Sequence, residues 1–289
     1  MIADLPTSLF KYFGPDRLDA ISNQLLRFTP LGDFNDPFEG RPEITSLTTN
    51  DEAISIFDEI ASEELKNIYD KMPKSFKETT SYTEFLSVAR AEIQIEKQGI
   101  LNTAQSFTPL ISNLINGKLD EILGVLCFSE VPDGLLMWAH YGSSHTGFAL
   151  EFDSSHSYFH QQISSEDEFR QLRRVSYKEA RPSTNLAAMS ATDLFLVKSG
   201  HWAYEREWRM MRPLVDATKS LDKKPYPVHL YLYPAQTLKS IIIGARATCE
   251  TIKHIQKIAT ENSDYSHIRL KKIVPDASHF HLNIVDIDM

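Results

Sequence analysis

The hydrophobic pattern changes its period along the 289-residue chain. Between residues 50 and 123, apolar side chains recur at steps of three and four, which places them on one face of a helix. The clearest example is the run Ile54, Phe57, Ala61, Leu65 and Ile68. The stretch is also rich in Glu, Lys, Ser, Ile and Leu and poor in Gly. We therefore predict an all-helical insertion over residues 50–123.

The residues on either side of this stretch have the patterns of strands. In GFALEFD, Phe148, Leu150 and Phe152 fall on one face and the intervening residues fall on the other. Near the N-terminus, SLFKYF and LLRFTPL are predicted strands that flank a short helix, PDRLDAISNQ. The further candidate strands are GVLCFSE, RRVSYKE, EREWRMM, PVHLYLY, KSIIIG and HIRLKKIV, with a helix capped by Thr248 before the last of them.

Together these patterns predict an α+β fold. Its core is a mixed, largely antiparallel sheet, and the all-helical insertion covers or caps that sheet. We expect residues 1–289 to form a single domain, in which residues 240–289 are a C-terminal strand–helix–strand extension.

Composition and charge exclude several classes of protein. The chain has no run of about 18 apolar residues, so it offers no transmembrane helix. Its N-terminus lacks the pattern of a signal peptide, and two cysteines are too few for a disulfide-rich secreted domain. A net charge of −9 argues against indiscriminate nucleic-acid binding, although local basic clusters allow a nucleic acid at one groove. We expect a cytoplasmic protein without membrane association.

Three polar segments, each beside aromatic residues, predict one composite site: Phe34–Glu39, Cys127–Phe148 and Trp202–Arg209. All three tryptophans of the chain lie in them. Aromatic walls with converging polar groups are typical of a ligand pocket, and they also occur in a core beside an ion pair.

The first segment, Phe-Asn-Asp-Pro-Phe-Glu, has strong turn chemistry, since Asn and Asp bond nearby backbone and Pro fixes the next φ. It is either a rigid turn or a turn whose two phenylalanines are buried anchors that hold Asn35, Asp36 and Glu39 over a pocket.

The second segment begins with Cys127, Ser129 and Glu130 at the end of a predicted buried strand. Cys127 is more typical of inert packing than of a nucleophile. A short helix follows, for which Asp133 is a candidate cap and Gly142 a candidate end. His140 and His145 lack the spacing of zinc ligands, so we expect no metal there. They are either structural histidines or ligand contacts.

The third segment, His201–Arg209, is ambiguous between helix and strand, and the strand is favoured by its aromatic residues. In a strand, Glu205, Glu207 and Arg209 would share one face. Tyr204, Arg206, Trp208 and Met210 would then point the other way. A solvated charged strand face is the alternative interpretation.

These motifs resemble those of an uncharacterised bacterial family that has relatives among abortive-infection (phage-resistance) proteins. The resemblance rests on L-F-K-Y, F-N-D-P-F-E, C-F-S-E, M-W-x-x-Y-x-x-x-H-x-G-F-x-L-E-F-D and W-x-Y-E-x-E-W-R, in this order. It covers the first forty residues and about residues 124–244.

The order of parts is also similar to that of the ADP-ribosyltransferase fold. That fold has an Arg or His on its first strand, a Ser at the end of a middle strand and a catalytic Glu in E-x-E on a later one. Here Lys11, Ser129 and Glu205-Arg206-Glu207 stand at those places, with Lys11 as the departure. The resemblance implies NAD as a substrate. Cleavage of its nicotinamide–ribose bond builds positive charge that a carboxylate can stabilise.

The leading hypothesis is therefore an NAD-consuming, ADP-ribosyltransferase-like effector of phage defence or of a toxin–antitoxin system. Its acceptor would be RNA, DNA or protein, and an antitoxin or another partner would bind the helical insertion. The resemblance implies the catalytic residues Glu207, Glu205 and Ser129. The residues expected to bind NAD are Lys11, Tyr12, Phe28, Asn35, Trp138 and Tyr141. Those expected to contact substrate are Asp36, Glu39, His140, His145, Trp202 and Arg209.

Two other functions remain open from the sequence. One is a non-catalytic module that senses a ligand or a phage component. The other is a hydrolase or nuclease that would use Asp36, Glu39, Glu130, His140 and His145.

Overall fold

The computed structural model describes residues 5–190 and 194–288. They form two compact units. The first unit comprises residues 5–41, 117–181 and 194–288, and the second comprises residues 42–116 and 182–190.

Strands and helices are numbered in chain order. The strands are β1 (Ser8–Phe13), β2 (Leu25–Phe28), β3 (Glu43–Ser46), β4 (Leu123–Ser129), β5 (Phe148–Asp153), β6 (Arg173–Arg174), β7 (Ser176–Lys178), β8 (Ser183–Asn185), β9 (Val197–Ser199), β10 (Glu207–Pro213), β11 (Lys219–Leu221), β12 (Val228–Leu232), β13 (Leu238–Ile243), β14 (Arg269–Pro275) and β15 (Leu282–Ile287). The helices are α1 (Asp19–Ser22), α2 (Asn50–Lys71), α3 (Lys74–Thr79), α4 (Tyr82–Ser106), α5 (Thr108–Ile122), α6 (Leu135–His140) and α7 (Cys249–Glu261).

The first unit is built on an eight-stranded sheet in the order β15-β14-β13-β5-β1-β4-β10-β6. Its neighbouring strands are antiparallel except β13 and β14, which run parallel and are joined through α7. A parallel pair needs such a crossover, whereas antiparallel pairs can be joined by shorter connections. The predicted α+β fold with a mixed, largely antiparallel sheet is confirmed.

Both faces of this sheet are covered. On one face, Leu9, Leu150 and Phe152 pack in a large apolar core together with Ile255 and Ala259 of α7. On the other face, side chains of β1 such as Tyr12 pack against Met137 and Trp138 of α6. The alternation of side chains along an extended strand explains this division, since successive residues of β1 point to opposite faces of the sheet.

A smaller three-stranded sheet, in the order β11-β12-β2, belongs to the same unit. Beyond the end of β2, Thr29 forms an isolated antiparallel bridge with Val125 of β4. This bridge ties the start of β4 to the segment after β2.

The second unit is mainly helical. Thr49 caps α2 by accepting a hydrogen bond from the Glu52 amide, and the Glu52 side chain returns one to the Thr49 amide. The short strands β3 and β8 pair in parallel. Among the described residues of this unit, Leu65 is the one large apolar side chain that is buried, so its core is thin.

Two local predictions are corrected. Glu205 ends a 3-10 helix, Gly200–Glu205, and the strand begins at Glu207, so Tyr204 and Arg206 are not strand residues. The residue before α6 is Gly134, which has no side-chain cap, and Asp133 does not fill that role.

In the part of the chain that the structure describes, no helix is long and apolar enough to cross a membrane.

Candidate functional site

A cavity opens where the large sheet divides along one edge of β4. On its other edge, β4 pairs with β10 over its whole length. On the dividing edge, β4 pairs with β1 at Ser129 and with Thr29 at Val125, so its two partners diverge around Cys127. We call this divergence the β4 fork. It contains a cavity of about 420 Å³, within the range of about 300–1,000 Å³ that is usual for ligand pockets.

A buried cluster of five charged side chains adjoins the cavity: Glu39, Lys198, Glu205 and Glu207, which line it, and Arg209, which lies behind them. The Lys198 ammonium lies 2.6 Å from Glu205 Oε2 and 2.9 Å from Glu207 Oε2. The Arg209 guanidinium donates to Glu207 through Nε, at 2.7 Å, and through Nη2, at 3.0 Å. Arg209 also pairs with Glu39, whose carboxylate is 3.5 Å from Lys198. Three carboxylates therefore face two cations.

A break in regular structure brings Glu205 and Glu207 together. The 3-10 helix ends at Glu205, Arg206 has φ +44°, and β10 begins at Glu207. Within β10, alternation sends Glu207 and Arg209 to the cavity side and Trp208 to the core. Lys198 reaches the same point from β9. The predicted common face is thus present for Glu207 and Arg209, whereas Glu205 arrives from a different element.

Burial and mutual charge change the acidity of the cluster. Burial raises the pKa of Glu207, the Lys198 ammonium opposes this rise, and the Glu205 carboxylate reinforces it. Burial alone would lower the pKa of Lys198, but Glu207 and Glu205 outweigh it and raise that pKa. Lys198 therefore stays charged, and Glu207 holds a proton more readily than a free carboxyl does.

Lys11 bridges the β4 fork. Its ammonium donates to the Cys127 carbonyl at 3.0 Å, at a point where no described strand residue pairs with the edge of β4 opposite β10. Burial lowers the pKa of Lys11, against the opposing charges of Cys127 and Glu207. The Cys127 thiol lines the cavity, and burial followed by the Glu207 carboxylate raises its pKa well above the ordinary value. A raised pKa disfavours the thiolate that a nucleophilic cysteine requires.

Aromatic side chains border the carboxylates. The Tyr141 hydroxyl donates to Glu205 Oε1 at 2.6 Å, and burial followed by the Glu205 charge raises the pKa of Tyr141. His140 Nδ1 lies 2.9 Å from the Tyr204 hydroxyl, and both Tyr141 and His140 line the cavity. The Lys198 ammonium is 5.2 Å from the centre of the Trp202 ring, a cation–π distance.

Ser129 is a buried member of the wall. Its hydroxyl donates to the Glu205 carbonyl at 2.6 Å and accepts from the Val131 amide at 3.0 Å. In register, Ser129 stands opposite Glu207 on the neighbouring strand. Ser129 therefore fixes the backbone that carries Glu205.

The turn at Phe34–Glu39 follows its predicted chemistry, since Asp36 Oδ1 accepts from the Phe38 amide at 2.9 Å. Asn35 and Glu39 line the cavity. Phe34 is half-buried under the Arg209 guanidinium, 5.4 Å from the ring centre. Phe38, however, is 60% exposed, so the prediction of two buried phenylalanine anchors is wrong for this residue.

The structure brings nine of the predicted site residues to the cavity: Lys11, Tyr12, Asn35, Glu39, Ser129, His140, Tyr141, Glu205 and Glu207. It does not bring Phe28 and Trp138, which are fully buried in the two apolar cores and are corrected from ligand contacts to packing residues. The Asp36 carboxylate accepts a hydrogen bond from the Phe38 amide within its own turn and does not line the cavity. His145 lines a separate cavity, near Arg246 and the β14–β15 connection, and is not a partner of His140.

Trp202 and Arg209 are also corrected as direct substrate contacts, because neither lines the cavity. Arg209 is fully buried behind Glu207 and donates its Nη1 to the Phe195 carbonyl at 2.7 Å. Instead, Trp202 contacts the Lys198 ammonium and Arg209 donates to Glu207, and both of these charged groups line the cavity.

Lys198 is the main site residue that the motifs miss. A single lysine directly after the apolar run Phe195-Leu196-Val197 was a usable signal, since a lysine that continues a buried strand is almost never fully buried without a partner. Arg27 and Asp33, which pair with each other at the cavity, were missed as well.

The groups suggested for a hydrolase or nuclease are brought together only in part, since Glu39 and His140 line the cavity whereas Asp36 bonds its own turn. Glu130 accepts from the Trp208 indole at 2.7 Å, and His145 lies in the other cavity. Among residues 5–190 and 194–288, no three His, Cys, Asp or Glu side chains are arranged to hold a metal ion.

A family model described as "Protein of unknown function (DUF2971)" matches residues 137–210. The match includes Tyr141, Lys198 and the segment Glu205–Arg209, and so most of the charged cluster. This finding supports the resemblance to an uncharacterised family. No curated protein and no solved structure matches the chain.

Proposed function

We propose that the protein is an NAD-consuming, ADP-ribosyltransferase-like enzyme whose active site is the cavity at the β4 fork. The observation that carries the proposal is the surplus carboxylate of the buried cluster, with Glu205 and Glu207 both lining the cavity. A wall with more carboxylates than cations favours a cationic ligand. The nicotinamide ring of NAD is cationic, and the ribose gains positive charge as the bond to nicotinamide breaks.

The reaction assigns a role to each group. The bond between ribose C1′ and the nicotinamide nitrogen breaks, and its electron pair leaves with nicotinamide. A nitrogen or oxygen of the acceptor forms the new bond to C1′, and its proton passes to a cavity carboxylate. Glu207, whose pKa burial raises, is the candidate for the main stabilising group, and Glu205 assists it.

The remaining cavity residues fit the binding of NAD. Tyr12, Asn35 and Tyr141 line the cavity and are the candidates for contact with the ribose or the nicotinamide amide. Lys11 and Arg27 supply cations for the pyrophosphate. Ser129 holds the Glu205 backbone and thereby the carboxylate beside it.

The biological setting is proposed from the resemblance to abortive-infection proteins. An enzyme that spends NAD, or modifies a macromolecule of its own cell, suits phage defence or a toxin–antitoxin system. An antitoxin or other regulator would then bind the helical unit.

The test is release of nicotinamide from labelled NAD by the purified protein, alone and with cellular RNA, DNA or protein. We expect turnover by the wild type. Glu207→Gln should lower the rate about 100-fold or more, because it removes the charge that meets the transition state. Glu250→Gln, on the exposed first turn of α7, is the matched control and should retain the wild-type rate.

Absence of turnover by the wild type under all these conditions would overturn the enzyme proposal. Undiminished turnover in a folded Glu207→Gln protein would instead remove Glu207 from its role. A thermal melt of each variant separates loss of activity from loss of fold, which matters because Glu207 belongs to a buried ion cluster.

One observation favours a second function, that of a binding module without catalysis. Each side-chain oxygen of Glu205 and Glu207 already accepts a hydrogen bond or ion pair from Tyr141, Lys198 or Arg209. Carboxylates whose oxygens all have partners can recognise a nucleotide without taking part in a reaction. Calorimetry that detects NAD binding with no nicotinamide release would support this second function.

A further inference from the structure

A second concavity adjoins the cavity at the β4 fork. It has a volume of about 500 Å³, and Arg27 and Asp33 line both spaces. These two residues pair with each other where the spaces meet. Beyond them, the second space is lined by Arg17, Lys223, Lys224 and Tyr226, and we call it the basic groove.

The charge of the basic groove differs from that of the whole chain. Its lining includes four cations and three carboxylates, for a net charge of +1, whereas the chain carries −9. Arg17 is occupied by Asp19, at 2.9 Å. Lys223 and Lys224 are exposed, and within the described residues neither has an ion-pair partner. Two exposed ammonium groups without an ion pair therefore line the groove.

Tyr226 adds an aromatic surface to these charges. It is half-buried and lies between Pro225 and Pro227, whose fixed φ angles restrict this segment. Its hydroxyl end lies against Gly32, where a Cβ atom would overlap both Tyr226 and Asp120. The absent side chain at Gly32 thus lets the ring sit close to the junction with the cavity.

We infer that the basic groove binds single-stranded nucleic acid and directs it to the cavity as the ADP-ribose acceptor, an inference that rests on the proposed function. Free lysines beside an aromatic ring are the combination by which single strands are held, with phosphates on the cations and a base on the ring. A duplex keeps its bases stacked and offers no free base face to Tyr226. An acidic protein would use the lysines but would gain nothing from stacking.

The first test measures binding of fluorescein-labelled single-stranded RNA and DNA of about 12 nucleotides by fluorescence anisotropy. The RNA and DNA arms identify which sugar the groove accepts. We expect Lys223→Ala/Lys224→Ala to weaken binding and to reduce the slope of log affinity against log salt by about 1.4, since each lost phosphate contact removes about 0.7 on a single strand. Lys253→Ala/Lys257→Ala removes the same charge from the exposed face of α7 and should leave the slope unchanged.

The second test separates stacking from charge. Tyr226→Ala should weaken binding about tenfold with an unchanged salt slope, whereas Tyr226→Phe keeps the ring and should bind like the wild type. A duplex of the same sequence should bind more weakly than either single strand.

Three results would overturn the inference: no binding of either single strand, binding that is unaffected in the Lys223/Lys224 variant, or equal competition by an acidic polypeptide. The failure of the proposed function gives a different result. Oligonucleotide binding that depends on the groove, together with no release of nicotinamide, would refute the enzyme and keep the groove. Nicotinamide release without oligonucleotide binding would keep the enzyme proposal and refute the role of the basic groove.

Discussion

At the scale of single residues, Lys198 holds the candidate site together. Its ammonium contacts Glu205 and Glu207 and lies near Glu39, while Arg209 supports Glu207 from behind. Each of these charges is buried, so each depends on the others to replace the water it has lost. Removing one cation leaves these buried carboxylates without a compensating charge.

We therefore expect Lys198→Met to lower the free energy of unfolding by about 3–5 kcal/mol, the usual effect of breaking a buried ion pair. Urea denaturation measures it. Lys253→Met, on the exposed face of α7, is the matched control and should change stability by less than about 0.5 kcal/mol. Adding Glu205→Gln to Lys198→Met should restore part of the loss. A loss of less than about 1 kcal/mol would contradict a mutually dependent cluster.

The sequence predicts individual site residues only in part, for a physical reason. The motif around Glu205 and Glu207 identifies the carboxylates because charged residues are unusual within a strand-like aromatic run. It cannot identify Lys198 as their partner, because that contact depends on where the fold places β9 relative to Glu205 and Glu207. Phe28 of β2 and Trp138 of α6 were expected at the site because of their place among the motifs, yet each packs in an apolar core, and a local pattern does not show which face of a strand or helix the fold will bury.

At the scale of elements, a polar network joins four neighbouring strands of the large sheet. Glu151 of β5 accepts from Ser8 of β1 at 2.9 Å, from Ser240 of β13, and from Lys271 of β14 at 2.8 Å. Burial alone would raise the pKa of Glu151, but the bonds from Lys271, Ser240 and Ser8 outweigh it and lower that pKa below 4.5. The network therefore stabilises the ionised carboxylate.

This lowered pKa predicts how stability depends on pH. Because the folded protein holds the Glu151 proton less tightly than the unfolded chain does, the contribution is complete above pH 4.5 and is lost as pH falls through the folded pKa. The stability difference between the wild type and Glu151→Gln should be constant above that pH and shrink below it. Urea denaturation at a series of pH values measures it, with Glu250→Gln as the matched control. A difference that grows on acidification would refute the role of the network.

The elements themselves are well predicted where their periodicity is clear. The alternation in GFALEFD predicts β5, and the Thr248 cap predicts the start of α7. The boundary between the 3-10 helix and β10 is not predicted, because the positive φ of Arg206 has no signature in a non-glycine residue. The β4 fork likewise depends on pairings between distant segments, which a local pattern does not contain.

At the scale of the whole molecule, the two units differ in the depth of their cores. The first unit contains nearly all of the buried apolar side chains, whereas Leu65 is the large one buried among the described residues of the second. Regions with few buried apolar contacts open at lower free energy. All three tryptophans, Trp138, Trp202 and Trp208, belong to the first unit.

These facts predict that unfolding in urea is not a single transition. Tryptophan fluorescence reports on the first unit, and far-ultraviolet circular dichroism reports on the helices of both. We expect the dichroism signal to begin to fall at a lower urea concentration than the fluorescence signal. Tyr69→Trp, which places a reporter in α2, should follow the earlier phase. Curves that superimpose for all three probes would show one cooperative unit instead.

The β4 fork also bears on how the site can change. The cavity exists because two backbone segments diverge from β4, not because large side chains are missing from a packed core. Exchanging the side chains at its mouth, such as Asn35 and His140, changes which molecule fits without closing the space. The backbone pairings that form the cavity are thus separate from the side chains at its mouth that would select a ligand. That separation makes the fold a suitable scaffold for laboratory selection of new binding specificities.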